Sequence, residues 1–215
     1  MSKARAKKIK LLLFDVDGVL TDGKIWLLPG TSQKLAEKEK HADGGGYVIA
    51  GEGIVEGKGF HAHDGTAISL ARLGGIRTGL ITKRLSETVA LRARDLRIDH
   101  VHQGIADKKT VFEEILRREN VTAEEAAYVG DDIIDLPVMR RCGLAIAVPN
   151  AREDVKDEAH LVTDHAGGEG ALRDAVEYIL RAQNKLEDVI EKYLGERSPS
   201  KREGWKDDPE LSGSL

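Results

Sequence analysis

The sequence predicts an α/β protein with a Rossmann-like, mostly parallel sheet flanked by helices, a β-hairpin flap and no cap domain. Short apolar runs alternate with helix-period segments along most of the chain. Two of these runs, residues 11–14 and 126–129, are followed by aspartates, as expected where a parallel sheet holds a ligand at its carboxyl edge. The stretch between Thr82 and Lys108 has room for one helix and one strand, so it cannot hold a cap domain.

Composition limits the class of protein. A chain of 215 residues is long enough for one domain with a real core, predicted over residues 1–194. Its net charge of −4 argues against a nucleic-acid binder. The single Cys142 excludes a disulfide framework and suits a reducing cytoplasm, where we expect the protein. No apolar run approaches about 18 residues, so no membrane span is expected.

The first apolar strand ends in two aspartates. Residues 11–14 are typical of a buried parallel strand, and Asp15 and Asp17 follow it one residue apart. Residues i and i+2 of a strand point to the same face, so both carboxylates can share a hard cation and act on a phosphate. The alternative is a strand that ends in a capped Asp-Gly turn.

The flap is predicted over residues 24–62, after a basic segment, residues 1–8, that we expect to be a solvated arm. Residues 25–28 form one strand of the flap, and residues 47–50 and 54–62 can pair back. The Gly-, Lys- and Glu-rich segment between them predicts a mobile tip.

Beyond the flap the pattern alternates regularly. Ser86 is a plausible N-cap, and residues 122–125 resemble a capping box. The polar residues 195–215 are expected to be disordered. Strands are predicted over residues 76–82, 99–103, 126–129, 144–148 and 160–162. Helices are predicted over residues 64–73, 86–96, 108–118, 133–141 and 171–194, with a helical turn over 152–156.

Phosphoryl transfer needs a nucleophile, a proton donor, positive charge on the phosphoryl oxygens and a fixed metal. Asp15 is the candidate nucleophile, and Asp17 the candidate general acid and then base. Thr82 ends a buried strand and can bond a phosphoryl oxygen, although such a threonine is often only a helix-entry residue. Lys108 begins a helix and can balance the carboxylates, although such a lysine is usually solvated.

Three more acids follow the strand 126–129, at Asp131, Asp132 and Asp135. Acids this close repel one another unless a cation or a base compensates them. Oxygen ligands select Mg²⁺, which is the predicted cofactor. The alternative is an acidic helix N-terminus favoured by the helix dipole.

Together these motifs resemble motifs I to IV of the haloacid-dehalogenase-superfamily phosphatases. The resemblance implies an aspartyl-phosphate on Asp15 and a metal held by the side chains of Asp15 and Asp131 and by the main-chain carbonyl of Asp17. It implies supporting roles for Asp132 and Asp135. The matching residues are Asp15-Val16-Asp17-Gly18, then Thr82, then Lys108, then Gly130-Asp131-Asp132-Ile133-Ile134-Asp135.

Within that superfamily, residues 11–183 resemble the capless branch of the 3-deoxy-D-manno-octulosonate 8-phosphate phosphatases and their nonulosonate 9-phosphate relatives. This resemblance implies an Mg²⁺-dependent phosphomonoesterase of lipopolysaccharide biosynthesis, acting on a phosphorylated sugar acid. It also implies a homotetramer in which flaps meet and a neighbour's tail approaches the site. The segments that carry it are 60–65, 128–139, 143–148 and 166–173.

The predicted sugar contacts depart from the family pattern. His61 and His63 replace family residues beside Asp64, Arg84 is kept, and Glu169 resembles the nonulosonate enzymes. A nonulosonate or broad sugar phosphatase therefore stays open, as does a non-catalytic oligomerisation module. The predicted substrate-binding residues are Asp17, His61, His63, Asp64, Gly65, Arg84, Arg92 and Lys108.

Overall fold

The computed structural model describes residues 2–29, 47–48 and 54–196. Its centre is a six-stranded parallel sheet in the order β10-β9-β8-β1-β5-β7. The described strands are β1 (Leu11–Phe14), β2 (Trp26–Pro29), β3 (Tyr47–Val48), β4 (Ile54–Gly57), β5 (Arg77–Ile81), β6 (Arg84–Leu85), β7 (His100–His102), β8 (Ala126–Gly130), β9 (Leu144–Ala147) and β10 (Leu161–Val162).

Helices cover the sheet, as predicted for a parallel sheet that is buried on both faces. Short turns follow β1 at Val16–Leu20, precede β8 at Ala123–Glu125 and follow β8 at Ile133–Asp135. Among the described residues no helix is long and apolar enough to cross a membrane. The helices are α1 (Ser2–Ala6), α2 (Ala62–Leu73), α3 (Glu87–Leu96), α4 (Lys108–Glu119), α5 (Leu136–Met139), α6 (Glu153–Asp157), α7 (Ala171–Ala182) and α8 (Leu186–Glu196).

Strand β1 lies at the middle of the sheet, between β5 and β8. All four of its residues are buried, and Leu13 stands opposite Gly79 on one side and Tyr128 on the other. Parallel neighbours end at the same edge, so the residues after β1, β5 and β8 meet there. That register is what places the predicted site motifs side by side.

The flap is a β-ribbon in which β2 and β4 pair antiparallel, with Leu28 opposite Val55. This confirms the predicted hairpin. The expected return of residues 47–50 is wrong for Tyr47 and Val48, because these residues pair in parallel with β6 and have their main-chain groups satisfied there. The rest of the predicted tip, residues 30–46 and 49–53, lies outside the described residues, as do residues 197–215 of the predicted tail.

Two predicted segments fold differently. The basic arm contains helix α1, whose Arg5 donates to the carbonyl of Gly143 at 2.7 Å. The long C-terminal helix is broken into α7 and α8 by Asn184, which has φ of +54°. Gln183, just before it, donates through its side chain to the carbonyl of Ile9 at 2.7 Å. That contact stabilises the break, which Asn tolerates better than most residues.

The shorter helical signals are confirmed with small shifts. Ser86 caps α3 through its Oγ, which accepts from the amide of Val89 at 3.4 Å. Thr122 and Glu125 form the expected capping box. The helix expected over 133–141 is a 3₁₀ turn followed by α5, since Pro137 sits in the first turn of α5, where proline is tolerated.

Candidate active site

A cleft of about 210 Å³ opens at the carboxyl edge of the sheet, above β1, β5 and β8. Four of the predicted catalytic and metal-binding side chains, those of Asp15, Asp17, Thr82 and Asp131, line it. Arg84 from the predicted substrate set also lines it. The remaining lining residues are Ile25, Lys83, Asp132 and Ile134.

Asp15 directly follows β1 and caps the turn that comes after it. Its Oδ1 accepts from the amide of Val16 at 2.7 Å, and its Oδ2 lies 2.8 Å from the Nζ of Lys108. The turn needs Gly18, whose φ of +89° lies in the left-handed region. A Cβ at Gly18 would also stand 2.1 Å from Oδ2 of Asp131, so the turn can approach that carboxylate only through a glycine.

Lys108 begins α4 and is buried with its charge between two carboxylates. Its Nζ is 2.8 Å from Oδ2 of Asp15 and 2.8 Å from Oδ1 of Asp135. Burial lowers the pKa of this lysine, but the two carboxylates outweigh that effect and raise it overall. The lysine therefore stays charged and holds Asp15 in place. Its role beside a phosphoryl group stays a prediction.

Asp135 accepts hydrogen bonds on both oxygens. Besides Lys108, its Oδ1 accepts from the hydroxyl of Tyr128 at 2.7 Å. Its Oδ2 accepts from the amides of Asp131 at 3.0 Å and Asp132 at 3.3 Å. The predicted supporting role of Asp135 thus has a geometric basis. Tyr128 was missed by the sequence analysis, since a tyrosine inside an apolar strand gives the signal of a core residue.

The other two acids of this motif differ in environment. Asp132 does not hold Lys108; its Oδ1 accepts from the amide of Ile133 at 2.8 Å and caps the 3₁₀ turn. Asp131 is half-buried, and burial, followed by repulsion from Asp15 and Asp135, raises its pKa to about 8. Burial likewise raises the pKa of Asp15 to about 7, although Lys108 opposes the shift.

These carboxylates fit a divalent cation. Oxygens of Asp15, Asp131 and Asp135 lie within 4.8 Å of one another. Because Asp135 is already saturated with donors, the open positions belong to Asp15 and Asp131. The buried Oδ1 of Asp131 has no hydrogen-bond partner, which is costly unless a cation or another donor arrives. The main-chain carbonyl of Asp17 as a third ligand stays a prediction.

Asp17 is held from the flap side of the cleft. Its Oδ1 accepts from the Nζ of Lys58, and its Oδ2 lies 3.5 Å from the Nε of Arg84. Lys58 was missed by the sequence analysis. One signal could have found it: Glu56 and Lys58 are two residues apart at a strand end, so they point to one face.

Thr82 follows β5 and is buried. Its amide donates to the carbonyl of His102 at 2.9 Å, and its own carbonyl accepts from the amide of Ile105 at 3.0 Å. These bonds fix the residue at the wall of the cleft, which Asp15 and Asp17 also line.

Asp64, a predicted substrate contact, accepts hydrogen bonds from the start of α7 and is not among the residues that line the cleft. It is fully buried, and its two oxygens accept from the amides of Gly170 at 3.2 Å and Arg173 at 3.1 Å, at the start of α7. Burial raises its pKa despite these bonds. Gly65 beside it gives room to Arg92, because a Cβ there would stand 2.6 Å from the guanidinium.

Three further predicted substrate residues are not among the cleft-lining groups. Arg92 pairs with Asp95 at 2.7 Å. His61 caps α2, its Nδ1 accepting from the amide of His63 at 3.3 Å. The two imidazole rings stand edge to face with centroids 4.7 Å apart. Of the predicted substrate set, the described cleft therefore brings together Asp17, Arg84 and, behind Asp15, Lys108.

The fold and this site define a phosphoric monoester hydrolase of the haloacid dehalogenase class, and residues 81–173 match the family model described as haloacid dehalogenase-like hydrolase. The 3-deoxy-D-manno-octulosonate 8-phosphate phosphatase of Escherichia coli K12 is 36% identical over 186 residues, which cover 86% of this chain and 87% of that protein. The chain belongs to the family of these phosphatases.

Solved structures agree with this placement. The 3-deoxy-D-manno-octulosonate 8-phosphate phosphatase of Yersinia pestis has a TM-score of 0.74 at 36% identity, covering 86% of this chain and 88% of that one. The enzyme of Moraxella catarrhalis has a TM-score of 0.75 at 34% identity, covering 89% and 97%. The latter structure is described as a complex with a magnesium ion, a phosphate ion and a KDO molecule.

Proposed function

We propose that the protein is an Mg²⁺-dependent phosphatase of 3-deoxy-D-manno-octulosonate 8-phosphate that works through an aspartyl-phosphate on Asp15. The observation that carries this proposal is the geometry of Asp15, which lies at the cleft wall with Lys108 2.8 Å from one of its oxygens and Asp17 two residues away. This geometry supports the proposal because the reaction needs a nucleophile, a fixed positive charge and a second carboxyl group close together.

In the first half of the reaction a carboxylate oxygen of Asp15 attacks phosphorus and the bond from phosphorus to the sugar oxygen breaks. Asp17 gives its proton to the departing sugar oxygen. In the second half Asp17 takes a proton from water, whose oxygen attacks phosphorus and releases phosphate and free Asp15. In this proposal Lys108 and the hydroxyl of Thr82 bind phosphoryl oxygens during both steps.

Asp15 and Asp131 are the residues that would hold the metal ion. When bound, Mg²⁺ supplies positive charge that offsets repulsion between these carboxylates and the phosphate. Burial raises the pKa of Asp15 to about 7 and that of Asp131 to about 8, so a bound cation would favour the ionised form of both carboxyl groups.

The substrate class rests on two supports. Members of the family with 34–36% identity are named for 3-deoxy-D-manno-octulosonate 8-phosphate. Arg84 lines the cleft and can hold a sugar carboxylate. Glu169 favours a second candidate, a nonulosonate 9-phosphate, because glutamate at this position resembles that branch.

A panel assay tests the proposal. Phosphate release with Mg²⁺ is measured on 3-deoxy-D-manno-octulosonate 8-phosphate, a nonulosonate 9-phosphate and a neutral hexose 6-phosphate, with the wild type and Asp15→Asn. We expect the highest kcat/KM on the octulosonate ester and loss of turnover by about 1,000-fold or more in the variant, roughly 4 kcal/mol of barrier. A preference for the nonulosonate would select the second candidate. Release by Asp15→Asn above about a tenth of wild type would reject the mechanism.

A further inference from the structure

The feature that the proposed mechanism leaves unused is a buried charge network between the flap and the cleft. Lys58 follows β4, and its side chain has no exposed surface, although it carries a charge. Its Nζ donates to Oδ1 of Asp17 and lies 3.8 Å from Oε1 of Glu56. Burying an ammonium group is expensive unless it is paired, and Lys58 has a carboxylate partner on each side.

Glu56 is itself fixed to the core. The hydroxyl of Ser86, at the cap of α3, donates to its Oε1 at 2.7 Å, and Arg84 donates to its Oε2 at 3.2 Å. The hydroxyl of Thr88 donates to its main-chain carbonyl at 3.0 Å. The side chain and the main chain of Glu56 are thus both bound to the segment after β5. Lys58 lies only two residues further along the chain, so these contacts also restrict its position.

The contacts of Asp17 come from this network. Lys58 donates to one carboxylate oxygen of Asp17, and Arg84 lies beside the other. These two cations therefore fix the orientation of the carboxyl group. Each carboxyl oxygen has two lone pairs, so a contact with Lys58 leaves a site that can face the leaving group. A general acid acts only within hydrogen-bond reach of that group, and small misplacements lose large factors in rate.

We propose that Lys58, held by Glu56, is a positioning residue that aims the Asp17 carboxyl group at the leaving oxygen, so that the flap ribbon supplies the orientation of the general acid. The inference rests on the proposed function and adds a residue pair to it. It assigns the Glu56 and Lys58 side chains a role in leaving-group departure rather than in sugar recognition.

Leaving-group dependence tests this role. The variant is Lys58→Met, which keeps length and removes the charge and the donors. kcat/KM is measured with Mg²⁺ on an alkyl ester, the octulosonate 8-phosphate, and on p-nitrophenyl phosphate, whose leaving group departs without a proton. We expect a loss of about 10- to 100-fold on the alkyl ester and less than about 3-fold on the aryl ester. A merely structural role would lower both values together.

Three controls make the outcome decisive. Lys24→Met removes an exposed lysine near the same ribbon that pairs with Asp22, and should change neither value. Glu56→Gln keeps an acceptor for Ser86 and weakens the hold of this side chain on Lys58 and Arg84, the two cations that contact Asp17. It should show the same selective loss to a smaller degree, and it provides the test if Lys58→Met does not fold. Asp17→Asn should show the largest selective loss.

The outcomes separate this inference from the proposed function. A selective loss on the alkyl ester supports the positioning role. Equal losses on both esters, or no loss on either, in Lys58→Met and Glu56→Gln overturn the positioning role. If Asp17→Asn still loses activity selectively on the alkyl ester, the proposed mechanism stands. A wild type that releases phosphate from neither ester overturns the proposed function and this inference together.

Discussion

Asp135 holds the site together, since its two oxygens accept four hydrogen bonds while the residue is fully buried. Asp135→Asn keeps the shape but introduces an NH₂ group. That group must face either Lys108 and the hydroxyl of Tyr128 or the amides of Asp131 and Asp132, which places donors against donors. We expect a loss of about 2–4 kcal/mol in the free energy of unfolding, measured by urea denaturation.

Asp132→Asn is the matched control for this prediction. Asp132 stands three residues earlier and caps the 3₁₀ turn, accepting from the amide of Ile133 at 2.8 Å and forming a capping box with Asp135. Asparagine caps as well as aspartate, so we expect a change below about 0.5 kcal/mol. Similar losses in Asp132→Asn and Asp135→Asn would show that the hydrogen bonds of Asp135 do not stabilise the fold.

The carboxylates Asp15 and Asp131 predict how stability depends on pH in excess chelator. Their pKa values rise from the ordinary 3.8 to about 7 and about 8, mainly because burial disfavours the charged form. Between pH 3.8 and about 8 the folded state therefore binds more protons than the unfolded state. This stabilisation is complete below pH 3.8 and is lost as pH rises through 7 and 8. The charged groups facing the pair, Lys108 and Asp135, lie on α4 and after β8.

We therefore expect the Tm of the chelated protein to fall between about pH 5 and pH 8. Asp131→Asn, which cannot titrate at this position, should fall less steeply. Mg²⁺ added at pH 8 should raise the Tm by mass action, because ligation needs the ionised carboxylates. A Tm that rises with pH over this interval in the chelated wild type would contradict the assignment.

At the scale of secondary-structure elements, α7 depends on a residue from a different helix. Its first turn exposes amides whose partner is Asp64, near the start of α2, more than a hundred residues earlier. Asp64→Ala should lower the free energy of unfolding by about 1–3 kcal/mol, because buried amides of Gly170 and Arg173 lose their acceptor.

The same variant separates the two roles of Asp64, capping residue and predicted substrate contact. Urea unfolding and KM for the octulosonate ester are measured side by side. The control is Thr66→Ala, at a half-buried position on α2 whose hydroxyl donates to the carbonyl of Ala62 within the same helix. Lower stability with KM unchanged supports the capping role. A raised KM at unchanged stability would restore the predicted substrate contact.

At the scale of the whole molecule, the flap ribbon presents an apolar face. Because β2 and β4 pair with Trp26 opposite Gly57 and Leu28 opposite Val55, these side chains share the face opposite Glu56. Trp26 is 57% exposed, Leu28 51% and Val55 43%. A ribbon face of exposed apolar side chains is typical of a surface that pairs with another copy.

We therefore predict a homotetramer, in which ribbons of neighbouring subunits meet and one neighbour partly covers the cleft. Light scattering at micromolar concentration should give four times the 23.5 kDa of one chain. Trp26→Glu should dissociate it, because a charge cannot be buried unpaired in an apolar interface. Leu91→Glu, at an equally exposed position on α3, should leave it intact. A wild type of monomeric mass would refute the assembly.

The parallel sheet and the edge that carries the candidate site could be predicted from the sequence. The continuous apolar runs 11–14 and 126–129 predict buried strands. Neighbouring parallel strands bring the residues that follow them to the same edge of the sheet. Asp15, Thr82 and Asp131 could therefore be expected together. The break at Asn184 could not, because the apolar pattern continues across it and the side-chain contact that stabilises it comes from Gln183 and the distant Ile9.

By itself, then, the sequence determined the fold class, the family and the residues at the carboxyl edge of the sheet, since periodicity and local motifs encode burial and strand ends. Only the tertiary structure decided partners across long separations. Lys58 donates to Asp17, and Asp64 accepts from an amide at the start of α7. Tyr128 donates to the same carboxylate, that of Asp135, which pairs with Lys108. Periodicity tells which face of an element is buried but not which distant side chain lies against it, and charge pairing depends on that second fact.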